Sequence, residues 1–333
     1  MSLKIIKAGI MDTIQDLGRY GYQHLGINPG GAMDAFSMEM VNLLVGNKNN
    51  EAVIEMHFPA ATFLFEQDCI IAIGGADFLP TINGDPIPLY HPVCIEKNSV
   101  LQFRELKNGT RCYLAIKDGL QTAPWLNSSS ANLKIKTNDL YGRALQKDDV
   151  ICFKKQNNYS ALPQNNGMLL MPWKADINWH IFNDDSIYIL PGSEWDWLND
   201  DSKKIVLNDS FTITTASDRM GYKTKGPKLS KIYNVELVSS PVTYGTIQLL
   251  PDGQLIILMA DHQTTGGYPR IANVITAHHS KLSQMRPGEK IRFSITDIIT
   301  AERLQLKQQQ HLRQLQNACK FRLEDFLNKG KTI

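Results

Sequence analysis

The sequence predicts a mainly β protein built from two related barrel-like halves, and three observations carry that expectation. Short apolar runs bounded by turn residues recur through both halves, a spacing that suits sandwiches and barrels. Thr81-Ile82-Asn83-Gly84-Asp85-Pro86 holds the Asn-Gly pair favoured in tight hairpins, and Leu250-Pro251-Asp252-Gly253-Gln254 repeats the device with Asp-Gly. Three segments also echo one another: Lys97 to Phe103, Lys147 to Phe153 and Pro287 to Phe293 each pair a turn with an alternating strand ending in Phe. They read as equivalent closing strands of related barrels, without a true sequence repeat.

Taken in order, residues 3–6 and 10–14 read as short strands, and residues 15–26 as a loop bent by Gly18, Gly21 and Gly26. Pro29-Gly30-Gly31-Ala32-Met33-Asp34 leads into a helix over Ala35 to Val45, with Met33, Phe36, Met40, Val41 and Leu44 on one face and Gly46 as its stop. Asp34 either caps that helix or sits where its free amides hold an anion. Strands follow at Val53 to Met56, Cys69 to Ile73, Val93 to Ile95, Val100 to Phe103, Cys112 to Ile116 and Val150 to Phe153. Residues 154–167, rich in Lys, Asn, Gln and Ser, are the most linker-like stretch, which places a boundary between 154 and 185. The expected organisation is a first domain over 1–165, a second over 166–299 and a helical tail over 300–333.

The second half offers strands near Ser186 to Leu190, Phe211 to Thr215, Asn234 to Val238, Thr246 to Leu250, Leu255 to Met259, Ile271 to Thr276 and Lys290 to Ile295. Only Glu194 to Asn199 and Ser280 to Met285 look briefly helical there. Thr300 to Lys329 differs, because good helix formers carry Leu312, Leu315, Cys319, Leu323 and Phe326 at helical spacing. Residues 300–331 hold seven Lys/Arg and three Asp/Glu, net +4 against +2 for the whole chain. Such a helix either docks its apolar stripe on its own barrel or offers its basic face to an acidic partner.

The overall balance, 35 Lys+Arg against 33 Asp+Glu in 333 residues, is too even for a protein that grips nucleic acid through its phosphates. Residues 1–13 alternate apolar and polar side chains instead of building a signal-peptide core, and no apolar run approaches a membrane span. Five cysteines, Cys69, Cys94, Cys112, Cys152 and Cys319, lack any Cys-x-x-Cys and read as buried thiols. A cytoplasmic location, with no membrane contact, is the expectation. His278-His279 has no ligand spacing and is expected in an exposed turn, so no metal site is predicted.

Two polar loops carry the chemistry. Met259-Ala260-Asp261-His262-Gln263-Thr264-Thr265-Gly266-Gly267-Tyr268-Pro269-Arg270 follows an apolar strand and supplies an acid, an amide, two hydroxyls and a guanidinium beside a Gly-Gly pair. It is either equipment for gripping a small polar molecule or a tight turn whose Asp and Thr satisfy loop amides. Ser217-Asp218-Arg219-Met220-Gly221-Tyr222 is the second, with Arg219 either a clamp for a carboxylate or phosphate or a partner in a local ion pair with Asp218. No phosphate loop, nucleophile elbow or His-Glu-x-x-His helix is present in the sequence.

Six signatures give the chain a resemblance to the family that includes the C subunit of 5-oxoprolinase, the KipA proteins and the carboxyltransferase half of urea carboxylase, also called allophanate hydrolase subunit 2. They are Thr13 to Arg19, Gly30 to Asp34, Leu44 to Asn47, Ser217 to Tyr222, Gly245-Thr246-Ile247-Gln248, and Asp261 to Ala272. The resemblance implies two cyclophilin-like β-barrel domains, a KipI-like sister subunit and a LamB-like third subunit. It also implies ATP-dependent opening of 5-oxoproline to glutamate, with ATP bound mainly by the partner or at the subunit interface. In the carboxyltransferase relatives the same fold implies transfer of a carboxyl group from biotin to urea or a related amide, and this chain carries no Met-Lys-Met biotin attachment site. A third implied role is regulatory, binding a KipI-type inhibitor of a histidine kinase. The residues expected at the site are Asp261, Gln263 and Arg270 as catalytic groups, and Arg219, Thr264, Thr265, Gly266, Gly267, Tyr268, Asp34 and Gln248 for an amide or lactam substrate. Asn127-Ser128-Ser129-Ser130-Ala131 departs from the Gly-Ser-Arg-Ser-Thr of many relatives, and His262 replaces a usual arginine.

Overall fold

A computed structural model describes residues 2–155, 166–176, 186–233 and 235–329, and it is mainly β, as expected. Its contacts divide the chain into two compact units: Met1–Gly18, Asp34–Trp179 and Gln309–Ile333 form the first, and Arg19–Met33 with His180–Gln308 the second. In this division two segments trade places relative to chain order, the glycine loop going to the second unit and the end of the tail to the first. Most of the linker-like stretch and of the 154–185 boundary lies outside the described residues.

The first unit packs two six-stranded sheets over one apolar core. One sheet runs Val150–Cys152, Ser2–Lys7, Thr62–Phe65, Val100–Phe103, Pro80–Ile82, Asp85–Pro86; the other runs Met168–Leu170, Pro92–Ile95, Cys69–Asp77, Asn108–Ile116, Val53–Met56, Thr13–Gln15. Alternation fixes which side chains face in: Ile54, Met56, Cys112 and Leu114 enter the core, so Glu55 and Tyr113 face the other way. Asn83-Gly84 makes the expected hairpin between Pro80–Ile82 and Asp85–Pro86, both residues at positive φ. Helix α1, Ala35–Leu44, is capped by Asp34, whose carboxylate accepts from Ser37 N–H at 3.0 Å and Ser37 Oγ at 2.7 Å. Asp12 ties a loop down by accepting from the Ala61 and His57 amides at 2.6 and 3.2 Å. Burial nevertheless lifts its carboxyl to about 7 against those two bonds.

The second unit is an eight-stranded sheet in the order Lys290–Ile291, Phe211–Ile213, Gly221–Lys225, Leu255–Leu258, Thr246–Leu249, Arg270–Val274, Ile187–Pro191, Phe293–Ile295. Its two ends are consecutive pieces of one segment. Residues 290–291 pair antiparallel with Phe211–Ile213, and residues 293–295 pair parallel with Ile187–Pro191, so a single stretch broken only at Arg292 nearly closes the barrel. Helix α2, Asp200–Asn208, is absent from the sequence expectation. Asn199 caps it through Ser202 N–H at 2.8 Å, and Asp200 and Asp201 favour its first turn. The strand expected over Asn234 to Val238 does not form in the described part: residues 235–238 are irregular, and Val235 and Val238 are exposed.

The threefold echo is structural at its turns. Asn98, Asp148 and Gly288 each take positive φ two residues before the strand, and their N–H groups donate to Phe65, Ile5 and Ile213 carbonyls at 2.7, 2.8 and 2.8 Å. The same three partners donate back to residues 99, 149 and 289 at 3.0, 2.9 and 2.9 Å. Beyond the turn the copies diverge, since Val100–Phe103 lies inside its sheet, Val150–Cys152 at an edge, and only the third closes a barrel. Helix α3 is His279–Ser283, and α4 is Ile298–Lys329. On α4, Leu315, Cys319 and Leu323 are buried, Phe326 meets Trp173 edge-on at 5.9 Å, and Arg313, Lys320 and Arg322 stay exposed. No helix among the described residues is long and apolar enough to cross a membrane. Cys152 corrects the expectation of five buried thiols: on its edge strand only Ile151 points inward.

Candidate functional site

Strand register brings the two polar loops together in the second unit. Gly221 pairs with Leu258, and beyond that point Met259 N–H donates to Met220 O at 3.0 Å and Asp261 N–H to Arg219 O at 2.8 Å. Arg219 and Asp261, 42 residues apart in sequence, are thereby side by side. Arg219 Nε donates to Asp261 Oδ2 at 2.8 Å, Nη2 to Oδ1 at 3.2 Å and Nη2 to the Gly31 carbonyl at 2.5 Å. Asp218, the local partner that sequence suggests for Arg219, instead accepts from the Met220 and Gly221 amides and shapes the turn. A β-carbon built on Gly30 would lie 3.2 Å from Arg19 Nη1 and 3.6 Å from Asp261 Oδ1, so this glycine loop lies against the pair. Arg19, Arg219, Asp261 and His262 are all buried.

The rest of the loop divides into two arrangements. Gln263 and Thr264 are half-buried, Thr265 is exposed, and Thr265–Gly266 forms a two-residue ribbon with Ser240–Pro241. Gly266 and the Tyr268 carbonyl lie over Gln248, whose Nε2 donates to that carbonyl at 3.3 Å. Arg270 faces a different carboxylate: its Nη2, Nε and backbone N–H donate to Glu194 at 2.8, 3.0 and 2.8 Å. Burial alone would raise the Glu194 carboxyl, but these bonds and the guanidinium charge bring it below its usual range. Gly267 adjoins Leu237 O and Ser239.

Sequence reasoning missed Glu194, which no local pattern links to Arg270. It also missed a buried polar network in the first unit. Tyr113 Oη donates to Glu55 Oε2 at 2.8 Å and accepts the Asp34 N–H at 2.8 Å, while Tyr90 Oη accepts from Gly75 N–H at 2.7 Å and meets Ser37 Oγ at 3.1 Å. Burial first, then the Glu55 and Asp34 carboxylates, hold the Tyr113 phenol well above its ordinary range, so it stays protonated and donates. The readable signal was Glu55 itself, a charge inside the apolar run Val53–Met56. Asp34 belongs to this network of the first unit, while the loop from Asp261 to Arg270 is part of the second.

The serine run has a definite local use: Asp16 accepts from Ser128 Oγ at 2.6 Å, Ser129 N–H at 2.6 Å, Ser130 Oγ at 2.5 Å and Gly18 N–H at 2.8 Å. His278 and His279 are packed, contrary to the exposed turn expected. His278 stacks on Tyr188 at 4.6 Å with Nδ1 accepting the Tyr188 N–H, and His279 stacks on Tyr244 at 4.2 Å. Tyr244 Oη in turn donates to Met33 O at 2.9 Å. Among the described residues no group of three or more His, Cys, Asp or Glu is placed to hold a metal ion.

Comparison with known proteins gives a consistent picture. The family described as carboxyltransferase domain, subdomain A and B, matches residues 25–295. The C subunit of the 5-oxoprolinase of Haemophilus influenzae is 34% identical over 303 residues, covering 91% of this chain and 94% of the relative; that of Escherichia coli is 32% identical, covering 94% and 97%. The urea amidolyase of Saccharomyces cerevisiae is 28% identical over 88% of this chain but only 16% of its own length. The crystal structure of the K. lactis urea amidolyase superposes with a TM-score of 0.85 over 94% of this chain and 20% of that chain, at 23% identity, a likeness of fold.

Proposed function

We propose that this chain, which belongs to the carboxyltransferase-domain family, serves as one subunit of an ATP-dependent 5-oxoprolinase and opens 5-oxoproline to glutamate together with a KipI-like and a LamB-like partner. The observation that supports this reading most is the end-to-end match: the alignment takes in 94% and 97% of two relatives named as C subunits of 5-oxoprolinase, against 16% of a urea amidolyase. The chain therefore corresponds to nearly all of the first kind of protein and to one part of the second.

The substrate presents a carboxylate, a lactam carbonyl and a lactam N–H, and the loop Asp261 to Arg270 offers complementary groups to each. Arg219 holds Asp261 in one orientation beside Gln263, Thr264 and Thr265, and the amides of Gly266 and Gly267 are candidates for the oxygen that gains charge as the carbonyl is activated. Arg270, with a quarter of its side chain exposed, meets the substrate carboxylate while sharing its charge with Glu194. Among the described residues both arginines of these loops are already paired with carboxylates and the sequence has no phosphate loop, so ATP is assigned to the partner or to the subunit interface.

The test is copurification with the products of neighbouring genes and measurement of 5-oxoproline-dependent ATP hydrolysis. The assembled complex should turn over and the isolated chain should not. Urea-dependent activity that requires a biotinylated partner would instead favour the carboxyltransferase reading, for which the match of residues 25–295 to the carboxyltransferase-domain family is the supporting observation.

A further inference from the structure

The surface beside the Asp261 loop carries apolar side chains that the barrel core does not use. Ile232, Tyr233, Val235 and Val238 are all exposed, Val238 to 89%. Single exposed apolar residues are ordinary, but four within seven positions form the kind of surface that marks an interface.

These side chains are also fixed in position. Ile232 N–H donates to Trp197 O at 2.7 Å, and the Tyr233 ring meets Trp197 edge-on at 5.8 Å. Past Val238, Ser240–Pro241 pairs with Thr265–Gly266, and Val242, which is buried, donates its N–H to Thr264 O at 3.2 Å. Anchored on both sides, the surface loses little freedom when a partner covers it. Its far end touches the candidate site: a β-carbon on Gly267 would lie 3.2 Å from Leu237 O and 3.3 Å from Ser239 Oγ.

That adjacency says what covers it. ATP drives ring opening only where its γ-phosphate and the lactam meet, with reacting atoms about 3 to 3.5 Å apart. A polypeptide that brings ATP must therefore abut the loop Asp261 to Arg270, and the apolar surface continuous with that loop is where it gains burial. We propose that Ile232, Tyr233, Val235 and Val238 dock an apolar face of the ATP-bearing subunit. The proposal rests on the 5-oxoproline reading and deepens it, because it assigns that partner a position beside the substrate loop.

The experiment uses the full chain and the purified products of the neighbouring genes, with binding and activity read separately. Val235→Asp combined with Val238→Asp should raise the Kd for the ATP-bearing subunit at least about a hundredfold, since two apolar contacts are lost and two carboxylates must be desolvated. The Tm of the isolated chain should not change, because both positions are exposed in it. Phe321→Asp, at a side chain of α4 that is 74% exposed, should change that Kd less than about twofold. At partner concentrations that saturate the double variant, the KM for 5-oxoproline should return to the wild-type value, as expected of residues that dock a subunit without touching substrate. Independently, Val238→p-benzoylphenylalanine should cross-link on irradiation to the subunit that 8-azido-ATP labels. The proposal is overturned by an unchanged Kd in the double variant, by equal weakening in Phe321→Asp, by a KM still altered at saturation, or by cross-linking to a subunit that 8-azido-ATP leaves unlabelled. Each of these leaves the 5-oxoproline reading standing. A fully assembled wild-type complex without 5-oxoproline-dependent ATP hydrolysis removes that reading and this inference with it.

Discussion

Arg219 and Asp261 form a two-point ion pair at 2.8 and 3.2 Å, with 6% and 11% of their side chains exposed. Such a pair is held in place by mutual need. Both charges are held out of water, so removing either one costs more than the pair contributes as a whole.

Asp261→Ala is therefore expected to destabilise the chain by about 3 to 5 kcal/mol, because it leaves the guanidinium buried beside the Gly31 carbonyl without its carboxylate. The sequence alone left Asp261 either a group of the site or a loop residue that ties down a turn, and its burial against Arg219 makes it matter to folding in either case. Arg219→Met combined with Asp261→Leu should recover most of the lost stability while leaving 5-oxoproline turnover absent. Urea titrations of the two single variants and the double variant measure the coupling, and additive losses would show that the pair does not act as a unit.

His279 gives the fold a defined acid limit. Burial against Tyr244 lowers its pKa from 6.5 to about 4, opposed only weakly by its contact with the Val274 carbonyl. The unfolded chain takes up that proton first, so this contribution is complete above pH 6.5, declines as pH falls and is lost by about pH 4, about 3 kcal/mol in all. Asp12 works in the opposite sense: its raised carboxyl favours the folded state below its unfolded pKa, and that contribution is lost as pH rises through about 7. A wild-type profile alone mixes the two. His279→Phe keeps a ring on Tyr244 and cannot titrate, while Asp12 is common to both proteins. The difference between their urea midpoints should shrink from about pH 7 to about pH 4, and a constant difference would exclude His279 as the source.

The end of α4 is a packed element of the first unit. Leu323 is buried and its Cδ2 lies 2.8 Å from where a β-carbon on Gly46 would sit, at the stop of α1. Leu323→Ala should cost about 2 to 4 kcal/mol, and Arg322→Ala, one residue away on the exposed side, less than about 0.5 kcal/mol. Equal, small effects in denaturant would mean that the stripe is not docked in solution.

How much of this was legible depended on whether a signal was local. Val53–Met56, Val100–Phe103 and α1 were readable because apolar side chains recur at strand or helix period between turn residues. Gly221–Lys225 was not, since its inward positions are Tyr222 and Thr224 and its outward ones are lysines, leaving one apolar side chain to mark the period. Helix α2 was missed for a similar reason: Val206 is its only buried apolar residue, although Asn199-Asp200-Asp201 carried a usable start signal. At the site, the residue types of the two loops were legible but their partners were not. Arg219 meets Asp261 and Arg270 meets Glu194 through strand pairings 42 and 76 residues apart, which a single sequence does not disclose.

Arg270 offers the sharpest test of the carboxylate site. Its Nε and Nη2 hold both oxygens of Glu194, and its backbone N–H donates to the same carboxylate, so Glu194 anchors the start of the strand Arg270–Val274 and neutralises the guanidinium at once. Glu194→Gln separates the two effects, because the amide keeps an acceptor for the backbone N–H but releases the positive charge. If Arg270 meets the substrate carboxylate, the released charge should lower the KM for 5-oxoproline about three- to tenfold in the assembled complex, while the weakened anchor lowers stability by about 1 kcal/mol. Arg270→Lys should do the reverse, keeping a charge but losing the planar two-point grip, and so raise KM. Steady-state kinetics and thermal melts on the two variants decide the matter. A Glu194→Gln complex with an unchanged KM and a lowered Tm would make Arg270 a strand anchor and leave the substrate carboxylate to groups of the partner subunit.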